Sequence, residues 1–440
     1  MSNKIGFYIG QGVEIRHFIL SGLFQKAAEN GEAIIIMKND MDSNYLKDYV
    51  EADKIIYLPD FKEIKKRHFI ETYVSGIRMA RLRFKKIGNF HHFSERGKSN
   101  FIKDFLLGNP VTFYLFTLFS LPFLKRYYTS NELVKIFKEN NLTTIFLVDY
   151  NTPFYLQIGY SANEAKVDMK IIINTLKSFY INDFVPFKIK SLYAWNENQN
   201  NLFKQSNFHQ SSNSFLALGN PFHNFILNPI DLTVIDKELK EIEHTPFIVY
   251  SLIFEKVFSG EYEVLSLINS FINDNFTVNK PKIIVRRNPF EQTQIHIEKI
   301  RQLNNVIIAP HTWERKAEKE WSIQSYKGEA EWKFLLSKAK LLINITSMAA
   351  VESIVSGTPV INIGFNGQGI QEPLLKRFSN APFLSDILVS KYVQLAINFE
   401  DFKNIFFELY NKKQEINKAE IVNSMNISII KNASIYSMVN

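Results

Sequence analysis

The chain has 440 residues, of which 46% are hydrophobic and 22% charged, and a formal net charge of +8. Those values exclude a disordered or collagen-like chain, and the length suits two domains of roughly 200 residues each. Cysteine is absent and the nine histidines show no ligand spacing. Disulfides and thiolate metal sites are therefore excluded, and a cytosolic protein without a dedicated metal is the expectation.

The N-terminal residues read as a first β-strand over 4–9 rather than as a cleavable signal. A loop over 10–16 and a helix to about 30 follow. Gly10 and Gly12 stand in this loop, but the third glycine of the dinucleotide fingerprint is missing, so NAD binding is not expected. Strands at 33–37 and 54–58 continue a doubly wound start. Asn39-Asp40-Met41-Asp42 contains the letters of an Asp-x-Asp metal motif, but it lies in a polar loop and reads as a turn.

Residues 60–130 read as a helical insertion. Between Lys62 and Lys103 there are twelve basic residues against three acidic ones, so the chain's positive excess is concentrated here. Residues 111–124 then run without a charge and with four phenylalanines, ahead of Lys125, Arg126, Tyr127 and Tyr128. Fourteen residues interrupted by Pro122 are too few to span a bilayer, which takes about 20. Two readings stand: a buried core helix, or an element lying in the interface of an anionic membrane surface, with 62–128 as the contact. Neither zinc-finger spacing nor an aromatic RNA-binding motif is present, so nucleic acid is not an expected partner.

The α/β pattern resumes with a strand at 144–148, which places Asp149 at its carboxyl end. Further strands are expected at 170–174, 191–195 and 215–218. Gly219-Asn220-Pro221-Phe222 is a turn signal. The second domain opens with strands at 247–252 and 282–285. The latter ends in Arg286-Arg287-Asn288-Pro289. Another strand at 306–309 leads to His311, Thr312 and Trp313, which suit either an aromatic framing a base at a strand end or a core Trp. Residues 332–340 read as a helix and 389–413 as a helix pair. The domain boundaries read 1–230, 231–390 and 391–440, with the last stretch forming C-terminal helices that cross back to the first domain.

Residues 338–365 are the most informative. A short apolar strand at 341–345 is followed by Thr346 and Ser347 at a helix N-cap position, a helix over 348–355, Gly357 as its stop and Pro359 barring its continuation. A final strand follows at 360–363. A strand that feeds a helix through small hydroxyl residues presents free N–H groups and the positive helix end, which favour a phosphate. A carboxylate at Glu352 is placed to accept from ribose hydroxyls. The same residues also suit an ordinary βαβ unit.

This segment resembles the nucleotide-binding part of GT-B glycosyltransferases, closest to those that build bacterial capsule or lipopolysaccharide. The matching positions are Thr346, Ser347, Glu352, Gly357, Pro359 and Val360. Related sites occur in UDP-sugar 2-epimerases, which share the fold. The resemblance implies an α/β chain of two Rossmann-like doubly wound domains facing a central cleft. It implies a nucleotide-sugar donor as substrate, no cofactor and no metal, and a surface glycan or lipid-linked acceptor. A peripheral location at the inner face of the plasma membrane follows from the same reading. For the nucleotide, the implied residues are Ser347, Thr346, Glu352, Arg286, Arg287, Ser251 and His311; at position 288 this chain has Asn where the pattern has His. The catalytic base must then come from the first domain, with His17, Asp149 and Glu14 as candidates. Three alternatives stand beside transfer: a UDP-sugar 2-epimerase-like enzyme, a non-catalytic nucleotide- or glycan-binding subunit, and a glycerol-phosphate transferase using a CDP-linked donor.

Overall fold

A computed structural model describes residues 4–10, 12–38, 46, 49–59, 69–70, 109–148, 150, 152–175, 184–253, 258, 260–288, 295–310, 313–315, 322–345, 347–372, 392–412 and 438–439. The chain forms two compact units, Met1–Phe225 with Ile427–Asn440, and Ile226–Asn426.

Unit 1 is built on a seven-stranded parallel sheet. Its strands are β1 (Lys4–Ile9), β2 (Glu32–Lys38), β3 (Ile55–Leu58), β4 (Thr144–Val148), β5 (Asp168–Ile172), β6 (Ser191–Ala194) and β7 (Phe215–Ala217), in the order β3-β2-β1-β4-β5-β6-β7. Continuous apolar runs such as Ala33–Met37 in β2 are buried on both faces, as a central parallel strand requires. Phe7 of β1 stacks on Phe146 of β4 at 5.0 Å, and Phe18 and Phe24 close edge-on against Phe7.

The helix expected to run to Asn30 is broken into three. A short turn, α1 (Val13–Ile15), runs into a π-helical stretch, Arg16–Leu20, and Gly22 at φ 83° separates these from α2 (Leu23–Asn30). The left-handed backbone at Gly22 is one that a Cβ disfavours, which is why the helix stops there. Helices α3 (Pro110–Tyr128), α4 (Asn131–Glu139) and α5 (Pro153–Ala165) come next in this unit. Asn109 starts α3 by accepting the Val111 N–H at 2.8 Å, and Pro110 fills the first helical position.

Unit 2 repeats the plan with six parallel strands: β8 (Phe247–Ser251), β9 (Lys282–Arg286), β10 (Val306–Ile308), β13 (Leu342–Asn344), β14 (Val360–Ile363) and β15 (Val393–Ala396). Their order is β10-β9-β8-β13-β14-β15, and a separate antiparallel pair joins β11 (Trp313–Arg315) to β12 (Ser322–Gln324). One face of the sheet packs Ile248, Tyr250, Ile283, Val285, Ile343 and Ile361 into a core closed by Phe271, Phe402 and Phe406. The helix pair expected over 389–413 is half wrong, because Val393–Ala396 is the sixth strand and only Phe399–Lys412 is helical. That edge strand pairs on one side only, with β14, so it lacks the fully apolar run of its neighbours. Both sheets share one logic: the order runs outward from a first strand and then reverses. The carboxyl ends beside that reversal, β1/β4 and β8/β13, are where such sheets bind ligands.

Candidate functional site

In unit 2 the polar residues collect at the carboxyl ends of the four central strands. Arg286 of β9 is in register with Ser251 of β8, Ser251 with Asn344 of β13, and Asn344 with Asn362 of β14. Residues in register on parallel neighbours point to one face. The flanking Ile343, Ile345, Ile361 and Ile363 enter the core on the other. A polar row across a doubly covered parallel sheet is costly unless it is partnered. Here it meets α6 (Tyr326–Lys338) and α7 (Ala349–Val355).

The Arg286 guanidinium lies 4.0 Å from the centre of the Trp332 ring on α6. The indole N–H of Trp332 donates to Glu352 Oε2 on α7 at 2.6 Å. Arg286, Trp332 and Glu352 thus form one chain of contacts along the switch point, with Trp332 and Glu352 both buried. At the end of β13, Asn344 Oδ1 accepts the Ser347 N–H at 2.9 Å, and Ser347 Oγ accepts the Ala349 N–H at 3.2 Å. The hydroxyl therefore bonds the first N–H of the short helix that carries Glu352. Gly357, at φ 85°, ends that helix.

Some polar atoms in this cluster have no hydrogen-bond partner among the described residues. They are Asn344 Nδ2, Asn362 Oδ1 and Arg287 Nε, all buried. Unmet donors and acceptors of this kind are costly when empty and favour a polar ligand.

In unit 1 the candidate proton-transfer residues sit at the end of β1. Glu14 is fully buried and accepts the hydroxyl hydrogen of Tyr155 on α5. His17 lies in the π-helical stretch, and its Nε2–H donates to Asn174 Oδ1, just past β5, at 2.9 Å. That bond assigns the proton to Nε2. The Gly219-Asn220-Pro221-Phe222 turn holds this stretch in place. Gly219 takes φ 92°, Asn220 Oδ1 accepts the Phe222 N–H at 2.9 Å, and the Arg16 guanidinium lies 3.7 Å from the centre of the Phe222 ring. Asn224 Nδ2 then donates to the Ser21 carbonyl at 3.0 Å.

The structure thus draws Arg286, Ser251, Ser347 and Glu352 into one cluster and puts Arg287 directly after it, while Glu14 and His17 share another. Thr346, His311 and Asp149 lie outside the described residues, as do Asp40 and Asp42 of the Asp-x-Asp letters. Among the described residues no group of three or more His, Asp or Glu is placed to hold a metal ion. Sequence reading passed over Trp332, Asn344, Asn362, Tyr155 and Asn174. One signal was available: Ile-Asn-Ile occurs in both β13 and β14, at 343–345 and 361–363, and a lone Asn inside an apolar strand asks what it bonds to.

No family model matches the chain, and no curated protein does. Solved structures do. The UDP-GlcNAc 2-epimerase from Neisseria meningitidis bound to UDP-GlcNAc superposes with a TM-score of 0.59 at 9% identity, covering 99% of each chain. The UDP-GlcNAc 2-epimerase from Methanocaldococcus jannaschii gives 0.56 at 13% identity, covering 94% of this chain and 95% of that one. A complex of that enzyme with UDP-GlcNAc and UDP gives 0.53 at 12% identity, covering 99% and 98%. The fold of this chain is therefore the GT-B-like one, two parallel-sheet Rossmann-like domains, as these enzymes have.

Proposed function

We propose that this chain is an enzyme acting on a nucleotide sugar, and that unit 2 binds the nucleotide. The observation that carries this reading is the Arg286–Trp332–Glu352 chain at the β8/β13 switch point. In it, Glu352 accepts from the ribose hydroxyls. Trp332 holds the carboxylate by its N–H and faces the guanidinium with its ring. Arg286 and Arg287 take the diphosphate, where an arginine supplies two parallel hydrogen bonds. Likeness to enzymes named for UDP-GlcNAc supports a uridine nucleotide as the first to test.

Of the reactions open to such an enzyme, epimerisation at the sugar's C2 has the better support, because the similar structures reported above are named as 2-epimerases. It requires no acceptor. A proton leaves one face of the carbon and one returns to the other, so substrate and product are isomers and no atom is gained or lost. Glu14, with the Tyr155 hydroxyl on it, and His17, with its tautomer set by Asn174, are the residues we assign to that proton traffic. Glycosyl transfer to a glycan or lipid-linked acceptor is the second reading, favoured by the apolar outward face of α3. In that case one of the same two residues takes the acceptor's proton.

The test runs in two parts. Thermal unfolding is followed with UDP, GDP, CDP, CMP and dTDP for the wild type and Glu352→Ala. A specific nucleotide at 100 times its Kd stabilises by about 2.7 kcal/mol. The expected result is a shift with UDP that Glu352→Ala loses; an equal shift in the variant removes the site assignment. UDP-GlcNAc is then incubated alone and the C2 configuration read by proton NMR. Isomer formation without acceptor supports epimerisation. Turnover only with an acceptor supports transfer, and binding without any turnover leaves a non-catalytic nucleotide-binding subunit.

A further inference from the structure

Helix α3 is built inside out. Its inward positions, Phe113, Thr117, Ser120, Leu124 and Tyr128, include the small hydroxyl residues Thr117 and Ser120, and Ser120 Oγ donates to the Thr117 carbonyl at 2.7 Å. Its outward stripe at four-residue spacing is Val111, Leu115, Phe119 and Phe123. Phe119 is 71% exposed and Phe123 60%. An ordinary surface helix puts its apolar stripe against the core and its polar face outward. Here no charge occurs between Val111 and Leu124, and Lys125 and Arg126 follow at once.

A groove of about 960 Å³ borders this helix, with Leu118 and Leu121 on one wall. Lys166, Lys188 and Lys190 line the other, together with Asp168. Lys190 is paired with Asp168 at 2.8 Å, whereas Lys166 and Lys188 have no acidic partner among the described residues. The groove lies at the amino ends of β5 and β6, the opposite edge of the sheet from Glu14 and His17. The twelve basic residues between Lys62 and Lys103 precede the helix in the chain.

We propose that the outward face of α3 seats in the interfacial layer of an anionic lipid bilayer, with Arg126, Lys166 and Lys188 meeting the headgroup phosphates. An apolar face with Arg126 at its end and Lys166 and Lys188 in the groove beside the helix complements such a surface in both of its properties. Aromatic side chains enter the acyl boundary and the basic rim stays among the phosphates. The geometry selects lying over spanning: the uncharged run is about 21 Å long at 1.5 Å per residue, against about 30 Å of hydrocarbon. Among the described residues no helix is long and apolar enough to cross a membrane. The inference stands apart from the nucleotide site and from the proton-transfer residues, since it uses none of them.

The experiment is co-sedimentation of the full chain with vesicles of phosphatidylcholine alone and of phosphatidylcholine mixed with phosphatidylglycerol, at low and high salt. Binding should be at least about tenfold tighter to the anionic vesicles and should weaken with salt. Phe119→Ser with Phe123→Ser should lower it by about tenfold or more, with the melting temperature and the UDP-induced shift unchanged. Arg126→Glu with Lys188→Glu should abolish the preference for anionic lipid. Sedimentation velocity of the free protein is run beside it. The proposal is overturned by absence of vesicle binding, or by binding that the double Phe variant leaves intact. It is also overturned if the wild type is a dimer that this variant splits, for then a second copy of the chain covers the face.

Discussion

A carboxylate that is 8% exposed needs hydrogen-bond donors, and Trp332 gives Glu352 one. Trp332→Phe keeps a ring against Arg286 and removes the N–H. It should destabilise the chain by about 1–3 kcal/mol in urea unfolding and weaken UDP binding. Lys170 makes a second demand on its surroundings. Buried in β5, it donates to the carbonyls of Met438 at 2.5 Å and Val439 at 3.4 Å, and burial lowers its pKa to about 8. The folded state therefore holds this proton less tightly than the unfolded chain, whose lysine titrates near 10.5. The group's contribution is most favourable above about 10.5 and is lost as pH falls through about 8. Lys170→Met carries no such group. The wild type should gain stability relative to that variant as pH rises from 8 to 10.5, measured by urea unfolding at each pH. A constant difference would contradict it.

At the scale of elements, glycines mark where the backbone is constrained. Gly22 breaks the first helix with φ 83° and has open space around its missing Cβ. Gly22→Ala should therefore cost only the left-handed strain, about 1–2 kcal/mol. Gly159 in α5 is the opposite case. A Cβ there would lie 2.5 Å from the ring of buried Phe187, so Gly159→Ala should overpack the unit-1 core by about 1–3 kcal/mol in the same assay. Strands β1, β4 and β14 were readable to within a residue because continuous apolar runs flanked by turn residues have one dominant reading. Strand β15 was not, because one-sided pairing relaxes that pattern and leaves Val393-Gln394-Leu395-Ala396 compatible with a helix. The composition of α3 was equally plain in the sequence, but which of its faces is outward was not. A helix with no charge between 111 and 124 has no charged side to betray its orientation.

At the scale of the whole molecule, each sheet reverses its strand order once, and each polar cluster lies at such a reversal. Nucleotide binding should therefore register locally. Hydrogen exchange with UDP present should slow at 251–253, 286–288 and 344–356 in unit 2. Protection confined to unit 1 would contradict the assignment.

The sequence by itself determined the class of fold, the positions of most strands along the chain and, through the resemblance of its 338–365 segment, the choice of Glu352, Ser347 and Arg286 as site candidates. These depend on local signals: apolar periodicity, helix stops and a hydroxyl-rich turn. Only the tertiary structure decided that Trp332 joins Arg286 to Glu352, that Asn344 and Asn362 face one side in register, and that His17 meets Asn174. Those contacts link residues far apart in the chain, and strand register fixes them. A one-residue slip would turn both Asn side chains into the opposite layer, so no local pattern in the sequence specifies the pairing.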